Sequence, residues 1–91
     1  MKLVGIYKSD KKGKKYYALF DNSKKVYFGA SGYEDYTIHK DLARKEMYIK
    51  RHQKNENWNN PISAGALSRW ILWNKPSLQE SIADYKQKFR L

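Results

Sequence analysis

The strongest constraint on this chain is that a large positive charge is combined with enough apolar material to fold. Its 91 residues include 19 Lys and Arg against nine Asp and Glu, a formal net charge of +10, while 41% are hydrophobic and 15% aromatic. Basic tails that stay disordered reach such a charge by giving up hydrophobic residues, and this chain does not. An ordered scaffold with this charge attracts polyanions. The sequence therefore predicts a folded protein with an anionic partner.

The length predicts one domain over residues 1–91, because two cores in so short a chain would each be too small to be stable. The chain has no Cys, which excludes disulfides and thiolate metal sites. We expect no membrane span, since no stretch approaches the roughly 20 apolar residues that a span requires. The apolar run at residues 3–7 is too short for a signal peptide, so we expect a location inside the cell.

The first third of the chain has the pattern of a three-stranded antiparallel meander within residues 1–33. Three short β-leaning runs are separated by polar stretches whose residue types are typical of turns. The runs cover residues 4–7, 16–20 and 25–28. Residues 41–91 change to helical periodicity. The predicted fold is therefore α+β, a three-stranded antiparallel meander followed by three helices that pack against it.

The second run carries aromatic residues on both of its faces. Alternation sends Tyr17 and Leu19 one way and sends Tyr16, Ala18 and Phe20 the other way. We expect one face to pack on the core and the other to present its rings to solvent or to a partner.

The first predicted helix begins after Asp41, a good N-cap, and runs to about Lys54. At 100° per residue it is amphipathic, with one side facing the core and a basic outer side. The side expected to face the core carries Leu42, Tyr48, Ile49 and His52. The outer side is expected to carry Arg44, Lys50, Arg51 and Lys54, with Met47 among them.

The second and third predicted helices supply most of the helical core. Residues 63–73 are apolar nearly all round, which indicates a buried central helix after the turn-forming connector 57–61. Ser77 and Glu80 match a capping box at the start of the third helix. One core-facing stripe then follows at helical spacing, formed by Leu78, Ile82, Tyr85 and Phe89.

Few residues could support catalysis or hold a metal. His39 and His52 are the only histidines, they have no thiol partner, and no HExxH-like spacing occurs. We interpret His52 as a partly buried structural residue and His39 as a loop residue that makes a hydrogen bond. We therefore expect no catalytic residues, no metal, no cofactor and no small-molecule substrate.

One short pattern offers an enzymatic alternative. The triplets GIY at residues 5–7 and YFG at residues 27–29 loosely resemble the paired strands of GIY-YIG nucleases, with Arg44 and Glu80 as the candidate helix Arg and downstream Glu. In that family the second triplet reads Tyr-Ile-Gly and lies closer to the first, so Phe28 is a departure. Two ordinary strands are the simpler interpretation.

A second short pattern is the run GASG at residues 29–32, which after a strand offers a backbone nest for a phosphate group. Glycines at this spacing more often only turn the chain, and we favour that interpretation.

The basic residues carry the clearest functional signal. Lysines crowd both predicted turns, basic side chains cover the first helix, and tyrosines lie near both in sequence. Lysines bind phosphates as point charges and aromatic rings stack on bases, while nine acids are too few to neutralise this surface. The predicted nucleic-acid-binding residues are Lys11, Lys12, Lys14, Lys15, Lys24, Lys25, Arg44, Lys50, Arg51, Lys54, Tyr16 and Tyr27.

Several stretches together resemble one known family over nearly the whole chain. They are KYYALFDN (15–22), VYFG (26–29), DYTIHKD (35–41), YIKRH (48–52), ENWN (56–59), AGALSR (64–69) and LWNKP (72–76). They are similar to small basic proteins of unassigned function from giant double-stranded DNA viruses of algae and amoebae. Members have Pro after the helix-capping Asp, where this chain has Leu42. The resemblance implies a viral protein of the virion or the infected cell that is not secreted, and it supplies no catalytic residues.

Two functional hypotheses follow. The first is a non-enzymatic viral protein that binds nucleic acid, with double-stranded DNA as the expected form, mainly through phosphate contacts. The second is a virion structural protein, a minor capsid component between larger subunits, whose charge complements acidic capsid proteins. Exposed aromatic residues that face protein should lie in an apolar patch, whereas those that face nucleic acid should be ringed by Lys and Arg.

Overall fold

The computed structural model describes all residues from Met1 to Leu91. Three antiparallel strands form one sheet in the order β1-β2-β3. The strands are β1 (Leu3–Lys8), β2 (Lys14–Phe20) and β3 (Lys25–Ala30). The predicted meander is confirmed, and each strand extends one or two residues beyond its predicted run.

The connection between β2 and β3 is the tight turn that its polar residues predict. The Phe20 amide donates to the Lys24 carbonyl at 2.9 Å, and Asn22 Oδ1 accepts from the Lys24 amide at 3.1 Å. Ser23 has a φ of 69°, a left-handed conformation that occurs mainly in turns. This turn fixes the register in which β2 faces β3.

Four helices follow the sheet. They are the single turn α1 (Tyr36–His39), then α2 (Leu42–His52), α3 (Ala64–Leu67) and α4 (Leu78–Phe89). Residues Ser68–Leu72 continue α3 directly as a π-helix, which a hydrogen bond from the Trp73 amide to the Ser68 carbonyl closes at 3.1 Å. The predicted α+β architecture is confirmed, with α1 as an addition and the second predicted helix divided into an α and a π part.

Short polar side chains cap the helices where the sequence places them. Asp41 Oδ1 accepts from the Ala43 amide at 3.0 Å at the start of α2, and Ser77 Oγ accepts from the Glu80 amide at 3.3 Å at the start of α4. Each cap satisfies a backbone donor that has no partner inside its helix, and is worth about 1 kcal/mol.

The core lies between the inner face of the sheet and one layer of helices. Its sheet residues are Leu3, Ala18, Phe20 and Phe28, and its helical residues are Leu67, Ile71, Leu72 and Tyr85. The predicted stripe on α4 is confirmed, because Leu78, Ile82 and Phe89 pack on this cluster around Tyr85. The Tyr85 hydroxyl, although buried, donates to the Pro61 carbonyl at 2.6 Å.

Gly29 permits a close approach between the sheet and the π-helix. Its φ is 80°, and a Cβ at this position would lie 2.8 Å from Leu72 Cδ1. The residue lies within β3, and two features there require glycine: the π-helix packs too closely for a side chain, and the backbone has a positive φ. This packing accounts for the glycine without a bound phosphate.

The helix α2 differs from its prediction in which side faces the protein. Leu42 and Met47 are 57% and 58% exposed, so the prediction that Leu42 packs on the core is wrong. Arg44 and Arg51 instead lie on the same side as the buried Tyr48, since i, i+4 and i+7 share one helix face. Arginine packs its aliphatic stem on apolar neighbours while its guanidinium group stays in water, so Arg44 and Arg51 can both lie beside a buried ring.

The core assignment predicts opposite outcomes for two leucines. Leu67→Ala should lower the free energy of unfolding by roughly 2–5 kcal/mol, because it opens a cavity at a residue with no exposed surface. Leu42→Ala, the control in an exposed helical position, should change it by less than about 0.5 kcal/mol. Urea unfolding followed by circular dichroism measures both. Equal losses would contradict the assignment.

Candidate functional site

The outer face of the sheet, opposite the helices, carries one tyrosine from each strand. Tyr7, Tyr17 and Tyr27 are direct partners in the strand register. Their ring centroids are 5.5 Å apart between Tyr7 and Tyr17 and 5.4 Å apart between Tyr17 and Tyr27. We call these three residues the tyrosine row. Tyr7 is 42% exposed.

The alternation of β2 explains why the row faces outward. Ala18 and Phe20 are fully buried in the core, so Tyr17, which directly precedes Ala18 in the strand, points to the opposite face. Tyr16 shares the inner face and stacks on Phe28 with a centroid distance of 6.0 Å. The structure thus removes Tyr16 from the predicted binding surface, because its ring packs at the edge of the core.

Two of the predicted lysines lie on the row. Lys11 Nζ is 4.6 Å from the centroid of the Tyr27 ring, and Lys25 Nζ is 5.0 Å from that of the Tyr17 ring. Lys11 comes from the β1–β2 turn and Lys25 from the start of β3. The aromatic surface therefore has an ammonium group on two of its three rings.

The hydroxyl of Tyr27 is held by an acid. It donates to Asp10 Oδ1 at 2.8 Å. This hydrogen bond lowers the pKa of Asp10, with smaller contributions from Lys25 and Lys11, and it raises the pKa of Tyr27. The bond fixes where the ring lies along the outer face.

A second surface is a cleft of about 430 Å³ between β3, α2 and α3. Its charged lining consists of Lys14, Lys15, Arg44 and Arg51 with Glu34, Asp35, His52 and Glu56. The cleft brings together four of the predicted basic residues, two from the start of β2 and two from α2.

Several charged side chains of the cleft are paired with one another. Lys15 Nζ lies 2.5 Å from Asp35 Oδ2, and the Asp35 side chain is buried. The other Asp35 oxygen accepts from the Thr37 amide at 2.9 Å and so caps α1. The Lys15 ammonium group is therefore held in a structural ion pair. Lys14 and Arg51 have no carboxylate within salt-bridge distance.

Aromatic stacking forms one wall of the cleft. The rings of Tyr48 and Trp73 are nearly parallel, with centroids 4.4 Å apart, and His52 stacks on Tyr48 at 4.3 Å. Burial raises the pKa of Tyr48, with a further contribution from Glu56. His52 Nδ1 also contacts the Glu56 carboxylate. His52 thus anchors the end of α2, in agreement with a structural role.

His39 makes the predicted hydrogen bond, but it lies at the end of α1 and not in a loop. Its Nδ1 accepts from the Asp41 amide at 2.9 Å, which joins α1 to α2. Its ring packs beside Trp73 with a centroid distance of 5.3 Å. No group of three or more acidic or histidine side chains in the structure could hold a metal ion.

The four residues of the nuclease alternative are not brought together. Tyr7 and Tyr27 lie on the outer face of the sheet, while Arg44 lines the cleft. Glu80 is exposed in the first turn of α4, which packs on the helical side.

The remaining predicted residues are exposed and dispersed. Lys12 and Lys24 lie in the two turns, and Lys50 and Lys54 lie on the solvent side of α2 and just after it. Tyr7 and Tyr17 were missed as binding candidates. A signal for them existed, because the hairpin turns place residues 7, 17 and 27 opposite one another across the strands.

Comparisons with known proteins identify only a family. Residues 4–52, from β1 to the end of α2, match a model described as a family of unknown function (DUF5754). No curated protein and no solved structure matches the chain. None of its helices combines the length and the apolar character needed to cross a membrane.

The hydrogen bond between Tyr27 and Asp10 predicts a measurable shift. Tyr27→Phe should raise the pKa of Asp10 toward its ordinary value, because the main stabilising interaction of the carboxylate is removed. Carboxyl-detected NMR titration measures this pKa. Tyr7→Phe serves as the control and should leave it unchanged, since Tyr7 makes no such bond. An unchanged Asp10 pKa in Tyr27→Phe would show that the bond does not form in solution.

Proposed function

Because the chain belongs to a family of unknown function (DUF5754), we propose its role from its own surface: it is a non-enzymatic protein that binds nucleic acid, mainly through phosphate contacts. Its positive charge is the physical basis of the proposal. A folded body with a net charge of +10 creates a potential of several kT at its surface and attracts polyanions.

One observation carries the proposal. Only two of the 19 Lys and Arg side chains, Lys15 and Arg44, lie within salt-bridge distance of a carboxylate of the same chain. Most of the other basic side chains are exposed and available to external anions, whereas Lys45 and Arg69 are partly buried and donate to backbone carbonyls. A surface that only served solubility would mix the two signs of charge more evenly.

The distribution of this charge supports contact with an extended polyanion rather than a small anion. Lysines lie at both ends of the sheet, in the turn around Lys11 and Lys12 and in the turn around Lys24 and Lys25. Lys50 extends the basic surface onto α2. Phosphate contacts spread in this way give affinity with little base specificity and a steep dependence on salt.

The biological setting is part of the same proposal. The likeness of the sequence to small basic proteins of giant double-stranded DNA viruses supports a viral protein that acts in the virion or in the infected cell. Double-stranded DNA is accordingly the first partner to test.

A second candidate function is a structural role in the virion, as a minor component bound to acidic capsid proteins. The observation in its favour is a set of exposed apolar side chains, Ile38 on α1 and Leu42 and Met47 on α2, each more than half exposed. Exposed apolar side chains mark a protein contact where they form one continuous patch. Affinity capture from purified particles tests it, and recovery of no capsid protein would count heavily against it.

The proposed function predicts a steep salt dependence of binding. Fluorescence anisotropy with a labelled random duplex should show micromolar or tighter binding at ~50 mM salt and a strong loss of affinity by ~200 mM. Binding that is absent at the lower concentration, or that hardly changes with salt, would overturn the proposal.

The contribution of the sheet surface can be separated from that of net charge. Lys11→Glu with Lys25→Glu should weaken duplex binding and reduce the salt slope by about 1 for each phosphate that no longer binds a lysine. Lys75→Glu with Lys86→Glu changes the net charge equally at exposed positions on the helical side and should have a smaller effect. Equal effects of the two double variants would assign binding to overall charge alone.

A further inference from the structure

We infer that the tyrosine row stacks on unpaired bases, so that the protein binds single-stranded nucleic acid more tightly than duplex at the same salt concentration. The inference rests on the proposed function and names the form of nucleic acid that the outer face of the sheet accepts. Its basis is the geometry of three rings and two ammonium groups.

The spacing and tilt of the three rings leave their faces accessible to a ligand. Neighbouring rings lie 5.4–5.5 Å apart, and their planes are inclined by 37° and 46°. Tilted rings at this distance do not cover one another as a parallel stack would. No helix covers this face either, because the core residues of the sheet all point to the other side.

Gly5 keeps the end of the row close to the sheet. A Cβ at Gly5 would lie 2.8 Å from the Tyr7 hydroxyl oxygen and 2.9 Å from Cζ. The Tyr7 ring therefore lies along its own strand over the glycine instead of projecting into solvent. At the other end, the hydrogen bond to Asp10 holds the Tyr27 ring. A surface whose rings are fixed loses less conformational entropy when a ligand binds.

The lysines on the row match the charge of a strand of stacked nucleotides. The ammonium groups of Lys11 and Lys25 lie within 5.0 Å of ring centroids and belong to exposed residues. An exposed contact between a cation and a ring is weak, so each ammonium group can move from the ring to a neighbouring phosphate. Aromatic rings interleaved with basic side chains are the combination that binds single strands without sequence preference.

The choice of single strands over duplex follows from which surfaces the bases present. In a duplex the faces of the bases are stacked on one another, and only their edges and the backbone are accessible. Unpaired bases present their faces, which tyrosine rings can stack upon. Basic side chains bind the phosphates of single strands and of duplex alike, so the preference for single strands comes from the tyrosine row alone.

A structural role for the row is the alternative that the test must separate. Cross-strand aromatic pairs stabilise a sheet by themselves. If this were their whole contribution, changing a ring would alter stability but not the ratio of single-strand to duplex affinity.

The test compares Tyr17→Leu with Tyr17→Phe, using anisotropy with a labelled oligothymidine and a duplex of equal length. Tyr17→Leu should weaken single-strand binding roughly 5- to 100-fold, as removal of one stacking ring does in single-strand-binding proteins, and change duplex binding less than about twofold. Tyr17→Phe keeps the ring and should bind like the unchanged protein. Tyr33→Leu is the control, since Tyr33 is 73% exposed but lies outside the row.

Tyr7→Leu, at the more exposed end of the row, provides a second variant if Tyr17→Leu melts at a much lower temperature. Single-strand binding that equals duplex binding, or that neither leucine variant weakens, would overturn the inference while the proposed function stands. If neither form of nucleic acid binds at ~50 mM salt, the proposed function fails and this inference fails with it.

Discussion

The structure depends on one interface, in which α3, its π-helical continuation and α4 pack on one face of a three-stranded sheet. A chain of 91 residues can build only one core, and this chain builds it from Ala18, Phe20 and Phe28 against Leu67 and Ile71. Burial of each large apolar side chain contributes about 1.5–3 kcal/mol, so this layer supplies most of the driving force for folding. The opposite face has no layer to cover it. Its aromatic residues contact each other and water, which makes them available to a ligand.

Several of the nine acids make contacts within the fold, which leaves few carboxylates to pair with the 19 Lys and Arg. Asp35 joins β2 to α1 by binding Lys15 and capping the helix. Glu56 contacts His52 and accepts from the Trp58 indole at 3.3 Å, which ties the connector after α2 to its last turn. Carboxylates used in this way cannot neutralise the lysines of the turns.

Local sequence patterns predicted the strands, the helix caps and the stripe of α4, because each rests on neighbouring residues. They could not decide which face of β2 is buried, since Tyr16 and Tyr17 are equally aromatic. That choice is made by helices more than 40 residues away in sequence. The sequence also failed to predict that Arg44 and Arg51 lie beside Tyr48. Tyr48 packs on Trp73, which is distant in sequence, and the periodicity of α2 contains no information about that contact. The predicted basic site is accordingly split between the outer face and the cleft.

The short sheet also leaves two strands, β1 and β3, with a neighbour on one side only. Unpaired strand edges invite pairing between copies, which is the first step toward aggregation. Lys8 lies at the end of β1 and Lys25 at the start of β3, and both are exposed. Approach of a second sheet would bring like charges together along either edge. The lysines that attract a polyanion thereby also keep separate copies of the protein from joining strand to strand.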